Sequence, residues 1–319
     1  MVSMKDIANR LNLSRCTVSN ILNNRFDGKS YRKETIEMVL STAKEMGYVS
    51  NSMARALKTG STGTIAIVVP DIANPFYINI IKEVERRAID NGYSLIICMA
   101  EEILKKENAA LTMLQSRCVD GVLISPVSYT RSLQQEYPFK VVCFDRVVEG
   151  DRYNYVRIDN YTESRRLAEA MIADGAKKPL FLAGSREDYT VVRRYRGFCD
   201  VMHEHGLKVH KSAFMDGLYD EQSAYESMNR VISNDADFDS VILSTDYLVY
   251  GVLRAIREHR RENVILGGFE RFSGMDLFAD GMHVLEQPEV EMGRESFDML
   301  HRLIKGEAVS NLVLPAILL

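Results

Sequence analysis

From Thr64 onward, short apolar runs rich in β-branched residues alternate with amphipathic stretches, and this beat limits the fold more than any other feature of the chain. Ile65-Ala66-Ile67-Val68-Val69 is followed by a helical pattern from Phe76 to Asn91 and then by Leu95-Ile96-Ile97-Cys98. The beat returns at Gly121-Val122-Leu123-Ile124, Val141-Val142-Cys143-Phe144, Leu180-Phe181-Leu182-Ala183, Val241-Ile242-Leu243 and Val264-Ile265-Leu266-Gly267. Continuous apolar strands separated by helices predict parallel sheets whose strands are buried on both faces. The roughly 255 residues involved exceed one such sheet, so two doubly wound lobes joined by crossing strands are expected.

In open α/β sheets ligands sit beyond the carboxyl ends of the strands, so two facing lobes make a cleft there. The strand ends carry Pro70-Asp71-Ile72-Ala73-Asn74-Pro75-Phe76-Tyr77, Asp145-Arg146, Gly184-Ser185 leading to Thr190 and Arg194, Thr245-Asp246, and Gly268-Phe269-Glu270-Arg271. Rings cover the apolar face of a small hydroxylated or heterocyclic ligand, while guanidinium and carboxylate groups fix its polar edge. Any one of these residues can be an ordinary strand-end ion pair; their convergence on one cleft favours a binding site.

The first 60 residues differ in charge from the rest. They hold ten Lys/Arg and five Asp/Glu, a net of +5, whereas the whole chain holds 40 and 44, leaving a net of -9 on the remainder. A basic headpiece on an acidic body suits a polyanion-binding module, although a solvated charged surface gives the same imbalance. Three short helices are expected here. Ser3 caps the first, with Asp6 completing a capping box and Ile7, Ala8 and Leu11 facing inward. After a turn at Asn12-Leu13, Ser14 caps the second, whose Val18, Ile21 and Leu22 point to the core and whose Arg15, Cys16, Thr17, Ser19 and Asn20 face outward. The third turns Ile36, Val39, Leu40, Ala43 and Met46 to one side and stops at Gly47. Two helices about a tight turn with a third closing the core form a helix-turn-helix, whose second helix enters the major groove. Arg15 can pair with guanine and Asn20 with adenine, with Thr17 and Ser19 placed for phosphates or thymine methyls. A three-helix knot this small also serves as a protein-binding domain.

Lys5-Asp6-Ile7-Ala8, Leu13 to Asn23, Gly47-Tyr48 and Asn51-Ser52-Met53-Ala54-Arg55-Ala56-Leu57 together resemble the headpiece of the lactose and galactose repressor family, and the similarity continues through almost the whole chain. The resemblance implies that Arg15, Cys16 and Asn20 read bases, and that Ser14, Thr17, Ser19, Asn23 and Tyr48 hold the backbone or the headpiece. Cys16 is an uncommon reader: it packs on a thymine methyl or is a buried inert thiol. Residues 51–58 have too few turns to be helical alone. The resemblance implies a hinge helix that orders in the minor groove, with Leu57 wedging a base step and Asn51, Ala54, Arg55 and Lys58 against the duplex. A plain linker is the alternative. Relatives usually have Pro where Ser50 stands and Ser or Thr where Arg32 stands.

In the body the resemblance implies an effector site of Asn74, Phe76, Tyr77, Asp145, Thr190, Arg194, Tyr219, Thr245, Glu270 and Gln287. Phe76 and Tyr77 cover the ligand, and Asp145 accepts from its hydroxyls. Arg194 is the Arg of the family's Arg-x-x-Gly pattern, with Arg193 and Arg196 as neighbours. Glu270 replaces the usual Asp and reaches one methylene further, so the effector cannot be copied from a relative.

No apolar run approaches the roughly 20 residues that cross a bilayer, and the N-terminus lacks a secretory core. Five cysteines without Cys-x-x-Cys spacing suggest reduced thiols, and a cytoplasmic protein is expected. No phosphate-cradling loop or His-x-x-x-His pair is present, so neither catalysis, metal nor cofactor is expected. The expected organisation is a helix-turn-helix headpiece over 1–49, a hinge and linker over 50–60, and a periplasmic-binding-protein-like effector and dimerisation domain over 61–319. The expected function is a homodimeric repressor of a pseudo-palindromic double-stranded DNA operator, controlled by a sugar-like effector. A sugar-binding receptor without DNA regulation is the rival, and an enzyme using the cleft comes third.

Overall fold

A computed structural model describes residues 2–22, 31–48, 61–150, 152–186, 188–209, 213–214, 220–234, 237–261, 263–272, 275 and 282–319. Contacts divide the chain into two compact units, Met1–Gly60 and Ser61–Leu319. The expected hinge over 50–60, with Asn51, Ala54, Arg55, Leu57 and Lys58, lies outside the described residues, as do Asn23 and Tyr219.

In the first unit, α1 (Met4–Leu11), α2 (Arg15–Leu22) and α3 (Lys33–Glu45) enclose Ile7, Ala8, Val18, Ile21, Val39 and Ala43. Ser3 and Asp6 form the capping box, and Asn12 adopts a left-handed conformation (φ 53°) that turns the chain into α2. Ser14 Oγ accepts from Thr17 N at 3.0 Å, which starts α2. Gly47 (φ 63°) ends α3 with Tyr48 N donating to Ala43 O at 2.9 Å. Arg32 occupies the N-cap of α3 without a side-chain cap bond, so that helix starts on backbone geometry alone. Leu40 does not join the core as its spacing predicts. It is 50% exposed, because the buried stripe of α3 runs through Val39, Thr42 and Ala43.

The second unit is two sheets of six strands. In chain order its strands are β1 (Thr64–Val69), β2 (Ser94–Met99), β3 (Gly121–Ile124), β4 (Lys140–Phe144), β5 (Asn154–Ile158), β6 (Pro179–Ala183), β7 (Ala213–Phe214), β8 (Ser240–Leu243), β9 (Ile265–Gly268), β10 (His283–Glu286), β11 (Leu312–Leu314) and β12 (Ile317–Leu318). The first sheet has the order β11-β5-β4-β3-β1-β2 and is parallel throughout. The second has the order β12-β10-β9-β8-β6-β7 and is parallel except for β12. The central strands β1, β3, β6 and β8 are almost wholly buried, as continuous apolar runs require. β2 departs from the expected burial on both faces: it is an edge strand, with Ile97 44% and Met99 40% exposed.

The helices of this unit are α4 (Pro75–Asp90), α5 (Leu104–Ser116), α6 (Asn160–Ala173), α7 (Tyr189–Glu204), α8 (Glu221–Ser233), α9 (Val249–Glu258) and α10 (Glu289–Ile304). α4 and α10 pack on the first sheet; α6 pairs with α7, and α8 with α9, on the second. The chain therefore passes between the lobes three times: between β5 and α6, between β10 and α10, and between β11 and β12. The α8–α9 approach is close. A Cβ at Gly251 would lie 2.1 Å from Glu221 O, which only glycine avoids.

Candidate functional site

The carboxyl ends of β1, β4, β8 and β9 and the start of α7 surround a cavity between the lobes, whose space of about 570 Å³ includes its opening to solvent. Local chemistry holds each wall in place. Asn74 caps α4 by accepting from Phe76 N at 2.8 Å, with Pro75 at the first helical position, and this fixes Phe76 and Tyr77 against the cavity. Their rings meet edge-to-face at 5.1 Å, and Tyr77 meets Phe144 in the same way at 6.2 Å. Asp145 follows β4 in a left-handed conformation (φ 59°), which an Asp tolerates better than most residues. That turn brings its carboxylate to Tyr77 Oη at 2.9 Å and Ser125 Oγ at 3.4 Å. Burial raises Asp145 to about 6, against the attraction of Arg146 and Arg194.

The second lobe supplies the opposite wall. Asp188 caps α7 by accepting from Thr190 N at 2.7 Å and from Thr190 Oγ1 at 2.8 Å. Arg194, buried, donates from Nε to Asn160 Oδ1 at 2.7 Å and from Nη1 to Ser244 O at 2.5 Å, with its guanidinium 4.0 Å from the centre of the Phe269 ring. Glu270 accepts from Gln287 Nε2 on Oε1 at 2.9 Å. Burial and the neighbouring Asp246 carboxylate push Glu270 well above the usual carboxylate range.

Of the residues singled out in the sequence, Asn74, Phe76, Tyr77, Asp145, Thr190, Arg194, Thr245 and Glu270 line the cavity. Gln287 stands behind Glu270 and reaches the site through it. Asp71 and Arg146, named at the strand ends, also line the cavity, as do Glu102, Asp188 and Tyr247, to which sequence position gives no pointer. Arg146 grips Glu102 through two contacts of 2.9 Å and bridges the lobes to Asp188 at 2.9 Å. Tyr247 Oη donates to Asp71 Oδ2 at 2.6 Å, a second bridge between the lobes. Both Asp71 and Arg146 stand at strand ends, so position pointed to them; Glu102, Asp188 and Tyr247 come together only in three dimensions.

In the headpiece, Ser14, Arg15 and Cys16 are exposed at the start of α2, and Thr17, Ser19 and Asn20 are partly covered. The exposure of Cys16 disposes of the buried-thiol alternative. Asn20 Nδ2 donates to Tyr31 Oη at 3.0 Å, so its amide is held within the headpiece, and Tyr48 packs against the headpiece core.

Residues 62–318 match the family described as periplasmic binding proteins and sugar binding domain of LacI family. The chain belongs to that family. Among curated relatives, the HTH-type transcriptional repressor PurR of Pasteurella multocida (strain Pm70) is 26% identical over 322 residues, covering 98% of this chain and 95% of the relative. Among solved structures, the lac repressor dimer bound to operator and the anti-inducer ONPF has a TM-score of 0.84 at 19% identity, covering 100% of this chain and 97% of that one. The complex of the transcriptional regulator CelR with cellobiose has a TM-score of 0.73 at 24% identity, covering 100% and 98%. These likenesses give this LacI-family chain the same fold from headpiece to body. Among the described residues no helix is long and apolar enough to cross a membrane.

Proposed function

We propose that this LacI-family protein is a cytoplasmic, homodimeric transcriptional repressor whose affinity for a pseudo-palindromic DNA operator is set by a small molecule, a sugar or sugar derivative, held between its lobes. One observation carries the reading. A cavity walled by both lobes joins edge-to-face rings to buried acceptors and a buried guanidinium, the chemistry that selects hydroxylated rings. In the same chain, α2 presents Ser14, Arg15 and Cys16 to solvent from a basic headpiece, as a major-groove helix requires. The lac repressor complex with operator and the CelR complex with cellobiose support the DNA and sugar assignments by likeness of fold.

The ligand acts through unequal affinity for two lobe arrangements, because a ligand that binds both equally shifts nothing. Arg146–Asp188 and Tyr247–Asp71 join the lobes in the arrangement described, so a change of lobe angle has to alter them. The hinge residues Asn51, Ala54, Arg55, Leu57 and Lys58 carry the change to the headpieces, while Arg15, Cys16 and Asn20 read bases and Ser14, Thr17, Ser19, Asn23 and Tyr48 support them. Fluorescence anisotropy on an operator selected from random DNA, with and without a sugar panel, tests the proposal. A tenfold change in operator affinity, about 1.4 kcal/mol of coupling, is expected from at least one ligand. Failure to select any preferred sequence sinks the repressor reading, and operator binding that no ligand alters sinks the allosteric part.

A further inference from the structure

The side chains around the cavity are unbalanced in charge: five carboxylates face it against two guanidinium groups. Most of these charges are already engaged. Arg146 binds Glu102 and Asp188 through Nη1 and Nη2, although its Nε is buried without a hydrogen-bond partner among the described residues, and Asp71 receives Tyr247 Oη and Ala73 N. Arg194 is held by Asn160 and Ser244, and Asp145 accepts from Tyr77 and Ser125. Among the carboxylates facing the cavity Glu270 differs. It is 7% exposed, its Oε1 is bonded to Gln287, and its Oε2 is buried without a hydrogen-bond partner among the described residues. Gln287 Oε1, on the amide that donates to Glu270, is likewise buried without a partner.

A buried carboxylate oxygen in this state is costly until a donor reaches it, and a charged donor offsets more of that cost than a neutral one. A hydroxyl offers one donor and no charge; an ammonium offers three donors and a full positive charge. We propose that the cleft takes a ligand with a protonated amine bound at Glu270 Oε2, on a polyhydroxylated frame whose hydroxyls meet Asp145 and Arg194: an amino sugar or a similar aminated polyol. This inference rests on the reading of the cleft as the effector site. Asp246 and Glu270 hydrogen-bond through a shared proton when one of them is protonated, and once a cation displaces that proton both carboxylates attract it, whereas Arg194 opposes it. The rings of Phe76 and Tyr77 serve the frame and not the charge.

Titration calorimetry on the full chain at pH 7 decides it, using glucosamine, galactosamine and mannosamine, each beside its hydroxyl parent and its N-acetyl derivative. At least one amine is expected to bind about tenfold more tightly than both of its neutral counterparts. Glu270→Gln should reduce that ratio to about twofold or less, and Glu270→Asp, which keeps the charge, should retain most of it. A neutral sugar bound as tightly as its amine, a ratio unchanged in Glu270→Gln, or no binding of any amine overturns the inference. Operator anisotropy separates the two readings. A preferred amine that leaves operator affinity untouched removes the effector role but not the amine site, whereas a neutral sugar that binds and shifts operator affinity does the reverse.

Discussion

Arg146, just after β4 in the first lobe, sets Nη2 2.9 Å from Oδ2 of Asp188, the N-cap of α7 in the second lobe. Both side chains are about 95% buried, and the same guanidinium is held from its own lobe by Glu102. The bridge therefore joins the angle between the lobes to the start of the helix that carries Thr190 and Arg194.

Asp188→Ala should lower body stability by about 3–5 kcal/mol, because removing one partner leaves a buried charge under-compensated. Loss of the α7 cap contributes about 0.5–2 kcal/mol of that loss. Asp188→Asn keeps the capping oxygen and should recover only the cap's share. Urea unfolding followed by circular dichroism reads both variants. Midpoints equal to wild type would show that the lobes do not depend on this contact.

Gly251→Ala should destabilise the second lobe by about 1–3 kcal/mol through overpacking. Its Cβ would meet Glu221 O at 2.1 Å and Tyr225 N at 2.6 Å, so helices α8 and α9 must separate. Hydrogen exchange should show faster opening confined to those two helices. Uniform protection across the body would contradict this.

Asp145 gives stability a pH dependence of known sign. Its carboxyl rises from 3.8 to about 6 on folding, so between those values the folded state holds more protons than the unfolded one. Its contribution to stability is greatest at low pH and is lost as pH rises through that window, by roughly 3 kcal/mol in all. Asp145→Asn should remove this slope, so the stability difference between variant and wild type should change from pH 4 to pH 7 and then level off. Parallel pH profiles for the two proteins would refute the assignment.

Arg15→Ala should cost about 1–3 kcal/mol on the preferred operator and relax one base position, whereas Lys58→Ala should weaken binding to all sequences alike and flatten its salt dependence. Selection of binding sites with each variant distinguishes the two. An unchanged base preference in Arg15→Ala removes that residue from readout.

Sequence pattern was enough to place β1, β3, β4, β6, β8 and β9, because a buried parallel strand must be apolar along its whole length. It did not reveal β5, where Asn154 and Arg157 interrupt the run, β10, where His283 and Glu286 bound only two apolar residues, or β7, β11 and β12, which are two or three residues long. The caps at Ser3, Ser14 and Gly47 were legible because they are local. The site divides in the same way. Residues just beyond a strand, such as Asp145 and Glu270, follow from topology. The bridges from Arg146 to Asp188 and from Tyr247 to Asp71 span 42 and 176 residues of sequence and depend on how the lobes face each other. Leu40 shows the limit of helical spacing in a core of only three short helices, where a stripe one residue too wide is left in solvent.

The threefold passage of the chain between the lobes has a consequence for synthesis. The first sheet is closed by β11 and covered by α10, and the second ends on β12, so both lobes wait for segments that leave the ribosome after residue 288. A nascent chain of residues 61–158 has an open edge at β5 and lacks the helix that covers β3, β4 and β5, and cannot finish the lobe it begins. The headpiece, complete in its core by Tyr48, is free to fold long before the ligand-binding body that governs it.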